Sequence, residues 1–279
     1  MPETPDSLSA IERLYRIGDP RNTWQWREGD PDYVAEFGLC PAHIPALIEI
    51  ARQWADRGEW PKDDTLYAPV HAWRALGQLG AVEAVEPLLA MQNSLDEVGD
   101  DWYLEEFHDV FGLIGPAAVP AMAAYLTDGS NSEFGRVSSA NGLCEIGKRH
   151  PETHQQVVEL LATQLARREP DVYSLNGLLV GYLVDLKAVE SAEVIERAFA
   201  AGVVDETICG DWPEIRQELA VSELGLVPER PKPDRGLGPL RFFDQPLSTG
   251  HLKQNLQRKK DKAKRKQQQK ARKRNRKRR

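Results

Sequence analysis

The sequence predicts an all-α repeat protein followed by a polybasic tail that is disordered when free. Three observations carry that prediction. An apolar pattern of helical period recurs at intervals of 32 to 40 residues, a chain-turning residue follows each occurrence, and charge is divided sharply along the chain.

In chain order, residues 1–40 read as an atypical N-terminal cap, with Trp24, Trp26, Tyr33 and Phe37 set among acids. The end of a repeat array needs a polar outer face, which this composition supplies. Trp24-Gln25-Trp26-Arg27 reads either as aromatics folded over the first repeat's open face or as a stacking platform for bases or a peptide.

Residues 41–225 carry the array. Four sets of positions i, i+3, i+4 and i+7 mark one face of a helix: Ala72, Ala75, Leu76, Leu79; Phe107, Val110, Phe111, Ile114; Ser139, Gly142, Leu143, Ile146; and Leu179, Tyr182, Leu183, Leu186. Gly80, Gly115 and Gly147 follow the first three sets and suit the left-handed residue that closes a helix, and Lys187 stands in the fourth such place. A second helix is expected after each break. Pro87 and Pro120 fall in its first turn, where the missing N–H costs nothing, and Pro45 in the run His43 to Ile48 suggests an earlier copy. Val157 to Leu161 and Val194-Ile195 fill the same role without proline. Asp211 and Glu214 form a capping-box signature that opens a last helix through Ile215 and Leu219.

The words Ala75-Leu76-Gly77-Gln78-Leu79-Gly80 and Leu113-Ile114-Gly115-Pro116-Ala117-Ala118-Val119-Pro120 resemble HEAT repeats, and more closely the short bacterial form known as PBS-lyase HEAT-like repeats, over roughly residues 41–200. The resemblance implies an α-solenoid of stacked antiparallel helix pairs, in the HEAT/armadillo-like class. It implies little about activity, because such repeats occur in scaffolds, lyases, hydroxylases and glycosylases alike. Each pair has an apolar face that only a stacked neighbour can cover.

Residues 226–250 hold five prolines and several glycines and read as a linker. Residues 251–279 contain 16 of the 36 Lys and Arg and a single acid, Asp261, giving about +15, whereas residues 1–250 set 20 basic against 42 acidic residues, or −22. A segment so poor in apolar residues cannot offset its ordering entropy. Arg258, Lys259, Lys260, Lys264, Arg265, Lys266, Arg272, Lys273, Arg274, Arg276, Lys277, Arg278 and Arg279 are the expected polyanion-binding residues. The ligand is nucleic acid held without sequence preference, or an anionic membrane surface, the latter disfavoured because only Leu252 and Leu256 could insert. Contact of the tail with the acidic body is a further expectation.

No catalytic constellation, metal site or cofactor motif is predicted. His150 and His154 are four apart, but Pro151 between them marks a helix start. No His precedes Glu directly, unlike the His-Glu pairs of HEAT-repeat hydroxylases, and the −22 body disfavours a DNA glycosylase. Asp96, Glu97, Asp100, Asp101, Glu105 and Glu106 form the one acidic concentration. They read either as a solvated inter-repeat loop with an acid-rich first helical turn or as a surface for a basic protein. Trp73, Trp102 and Tyr103 belong to a helical core or line a pocket of the kind a bilin-lyase-like protein needs. Cys40, Cys144 and Cys209 are far apart, in no metal-binding spacing, and are expected to be reduced. With no long apolar run and an acidic, Pro-rich start, a cytoplasmic location is expected. The functional expectation is a non-enzymatic protein-binding scaffold whose tail adds affinity for nucleic acid, ribosomal RNA included. The alternative is a small-molecule-handling enzyme or chaperone.

Overall fold

The computed structural model describes residues 9–20, 32–56, 64–100 and 102–223. The chain divides into two units, Met1–Arg230 and Pro231–Arg279, and every described residue lies in the first. The linker and the tail, with all thirteen basic residues named above, lie outside the described residues, as do Trp24, Trp26 and Asp101.

The described residues are all-helical and contain no strand. Helix α1 (Ala10–Leu14) and α2 (Tyr33–Phe37) come first, each capped by its preceding side chain: Glu12 N–H donates to Ser9 and Ala35 N–H to Asp32. Then follow α3 (Ile44–Asp56), α4 (Ala68–Gln78), α5 (Val85–Glu97), α6 (Trp102–Ile114), α7 (Val119–Thr127), α8 (Glu133–Arg149), α9 (His154–Ala166), α10 (Tyr173–Asp185), α11 (Ala192–Ala200), α12 (Glu206–Cys209) and α13 (Trp212–Glu223). A one-turn 3-10 helix leads into α3, α5, α7, α9 and α11 alike, so one local plan is repeated: a first helix, a bend, a tight turn and a second helix.

Packing follows the same plan. The first helices α4, α6, α8 and α10 each pack on the next, and α3, α5, α7, α9, α11 and α13 do likewise. The predicted apolar stripes supply the core between them. Of their sixteen positions all are buried except Leu79, which is half-buried at the end of α4. Pro45, Pro87 and Pro120 each fall in the first turn of a second helix, as the sequence requires. The last capping box is also present, with Glu214 N–H donating to Asp211 at 3.0 Å and Asp211 N–H to Glu214 at 3.3 Å.

The chain-turning residues are read correctly at three of four places. Gly80, Gly115 and Lys187 have φ of +60°, +84° and +56°. Gly147 does not close its helix: α8 continues to Arg149, and His150 ends it. The physical reason for glycine there is space, because a Cβ at Gly147 would stand 3.2 Å from the side chains of Val157 and Leu186. Helix α10, which lacks a cap of its own, is capped from outside: Glu133 in the first turn of α8 accepts from the N–H groups of Ser174 and Leu175. Among the described residues no single helix is long and apolar enough to cross a membrane.

Candidate functional site

Charged side chains of successive first helices meet at each junction. Where α4 meets α6, Arg74 donates to both oxygens of Glu106, at 2.6 Å from Nη2 and 3.0 Å from Nε. The Trp73 indole N–H donates to the same carboxylate at 2.6 Å. Where α6 meets α8, Arg149 joins Asp109 at 2.5 Å and Glu145 at 2.8 Å. Where α8 meets α10, Lys148 joins Asp185 at 3.1 Å. One ionic rung therefore spans each successive junction of the first helices.

Close approach of the backbones makes these rungs possible. A Cβ at Gly77 would lie 3.2 Å from Val110 Cα, and one at Gly112 would collide with Glu145 and Arg149. The glycines thus bring α4 to α6 and α6 to α8 within reach of short ion pairs.

Aromatic rings of the described residues also gather about the α4–α6 junction. Trp54 and Trp73 meet edge to face at 5.7 Å, Trp73 and Phe107 at 5.2 Å, and Trp54 and Trp102 at 5.8 Å. Trp54 donates its indole N–H to Asp100 at 3.2 Å, and the Trp102 backbone N–H donates to the same carboxylate at 3.0 Å. Trp73 and Tyr103 are completely buried in the helical core, and Trp102 is half-buried at its margin.

The acidic concentration is not a single surface. Asp100 and Glu106 turn inward, where buried hydrogen bonds saturate them. Glu97 is exposed, and Asp96 and Glu105 are half-buried. The sequence shows six acids in eleven residues but not their direction. Helical phase separates Glu105 from Glu106, and the bend after α5 turns Asp100 toward Trp54.

Where the two rows of helices meet lie polar groups that sequence reading passed over. Arg136, 2% exposed, donates Nε–H to the Leu126 carbonyl and forms a two-pronged pair with Glu169. That pairing holds the Glu169 carboxyl below the usual carboxylate range. Asn93 accepts from the Tyr125 hydroxyl and the Ser132 N–H and donates to Asn131, joining α5 to the α7–α8 connection. The setting of Arg136 among Phe134, Gly135 and Val137 in the first turn of α8 was the available signal for it.

Burial pushes the thiols of Cys144 and Cys209 up to about 12. Cys40 is exposed, with its sulfur 3.3 Å from His43 Nδ1, but that nitrogen already accepts the Cys40 N–H at 3.0 Å. His150 and His154 diverge onto separate backbone carbonyls, Gly112 and Gly147. Among the described residues no group of three or more His, Cys, Asp or Glu is placed to hold a metal ion. No family model matches the chain, and no curated protein or solved structure matches it significantly.

Proposed function

We propose that this chain is a HEAT-like α-solenoid that works as a non-enzymatic protein-binding scaffold in the cytoplasm, and that its basic C-terminal segment adds nonspecific affinity for nucleic acid. The observation that carries the reading is how the polar groups of the first helices are used. Arg74 with Glu106, Arg149 with Asp109 and Lys148 with Asp185 hold neighbouring helices in register, and Glu106 and Asp100 have their oxygens occupied by indole, guanidinium and backbone donors. Groups so committed stabilise a surface rather than wait for a substrate. Exposed acids such as Glu97, Glu159, Glu193 and Glu196 lie on second helices, where they suit a basic protein partner.

The test is affinity capture with the full chain and with a chain lacking residues 251–279, each with and without nuclease, followed by mass spectrometry. Proteins retained through both treatments are expected. If every partner disappears on nuclease treatment or tail deletion, the scaffold reading fails. Binding of the full chain to duplex RNA is expected to weaken with salt at a log–log slope of about −5, for about six phosphates contacted, and to do so equally for unrelated sequences.

A further inference from the structure

We propose that the N-terminal cap made by α1 and α2 is an acid-released closing element: protonation of His71 undocks it from α4 while the helices from α6 onward stay folded. Among the described residues, one imidazole of α4 bonds both to the end of the α1 segment and to α2. His71 is 0% exposed. Its Nε2 is 2.9 Å from the Gly18 carbonyl, just after α1, and its Nδ1 is 2.7 Å from the Tyr33 hydroxyl on α2. A carbonyl can only accept, so Nε2 carries the proton and Nδ1 accepts from the hydroxyl, which is the neutral tautomer. The cap is tied down elsewhere too: the Tyr33 N–H donates to Gln78 Oε1 at 2.8 Å at the last turn of α4, and the Tyr15 hydroxyl to Gln53 Oε1 on α3 at 3.5 Å.

An imidazolium in this place lacks water and loses the bond that Tyr33 donates. The charged groups acting on the ring are Arg74, one turn along α4, which opposes protonation, and Asp19, beside Gly18, which favours it. Burial outweighs both the Gly18 hydrogen bond and Asp19 and holds the group down to about 4. Undocking removes Gly18 and Tyr33 and lets water reach the ring, which then titrates near its ordinary 6.5. The sign follows. Docking is strongest above pH 6.5, weakens as pH falls because only the undocked form takes up the proton, and levels off below about 4. Between pH 7 and pH 4 the docking equilibrium falls on the order of 100-fold. The Arg136–Glu169 pair further along the array persists below the ordinary carboxylate pKa, because Glu169 is held low.

Hydrogen exchange of the full chain at pH 7, 5.5 and 4, corrected for intrinsic exchange rates, tests the proposal. Peptides covering residues 10–17 and 33–39 are expected to lose protection on the order of 100-fold across that range while those from α8 and α10 keep theirs. His71→Gln retains a donor for Gly18 and cannot titrate, so its cap protection is expected not to change with pH. Cap protection that stays constant to pH 4 in the unaltered chain, that falls only together with α8 and α10, or that falls equally in the variant overturns the idea. Should His71→Gln not fold, the imidazole titration of the unaltered chain followed by NMR decides the matter: an apparent pKa below 5 supports the proposal, and one near 6.5 refutes it.

Discussion

Arg74 and Glu106 are both nearly buried, and taking two charges out of water costs more than a simple Coulomb attraction returns unless every lone pair and N–H finds a partner. Here the carboxylate receives three donors, two from the guanidinium and one from Trp73. Arg74→Met would leave a buried carboxylate with the indole donor alone and is expected to cost about 3–5 kcal/mol. Arg74→Met combined with Glu106→Gln removes the stranded charge while keeping an acceptor for Trp73. The double variant is therefore expected to be more stable than Arg74→Met by about 1–2 kcal/mol, the surplus of stranded charge over unpaired amide. Urea titrations of the two variants and the parent check the order, and a double variant less stable than Arg74→Met would contradict it. The sequence shows half of this pair. His71, Arg74 and Gln78 form a visible polar stripe flanking Ala72, Ala75 and Leu76, but Glu106 lies 32 residues away, and its choice depends on how closely Gly77 lets α6 approach. Helical phase is local information; the distance between two helices is not.

At the scale of elements the sequence was most legible where one local rule decides the outcome. First-turn prolines, the Asp211–Glu214 box and the four apolar stripes all fall where propensity and periodicity put them. Gly147 misled because glycine has two uses, turning a chain and letting another helix come close, and only the position of Val157 distinguishes them. The same ambiguity is absent at Lys187, which sits at φ +56° after α10 with an unfavourable side chain for that conformation. Its N–H and that of Ala188 still complete the helix end, donating to Val184 and Leu183. Lys187→Gly is thus expected to relieve the strain and raise stability by about 1 kcal/mol, somewhat reduced by the added freedom of the unfolded chain. A higher denaturation midpoint with an unchanged slope is the expected result. A lower midpoint would mean that the lysine side chain contributes more than its backbone conformation costs.

For the whole molecule the decisive quantity is charge. The buried apolar core among the described residues runs from Leu14 to Leu219, so the fold is written into the acidic part of the chain, while 16 of the 36 basic residues are gathered after residue 250. This division was legible from composition alone. The protein that the proposed scaffold binds was not, because surface complementarity leaves no periodic trace in a single chain. Removing residues 251–279 takes away about +15 and leaves −22 on the remainder. If the helical unit owes its stability to its own core, the truncated chain melts within about 2 °C of the full chain at physiological ionic strength, since 1 kcal/mol shifts the Tm of a unit this size by about 2–4 °C. Self-repulsion of the acidic body should open a larger deficit at low salt, and about 0.5 M salt should close it, because screening then acts within a few ångströms. Thermal melts of both chains across that salt range separate the two effects. A deficit that persists at high salt would mean that the basic segment supplies packing to the fold as well as charge.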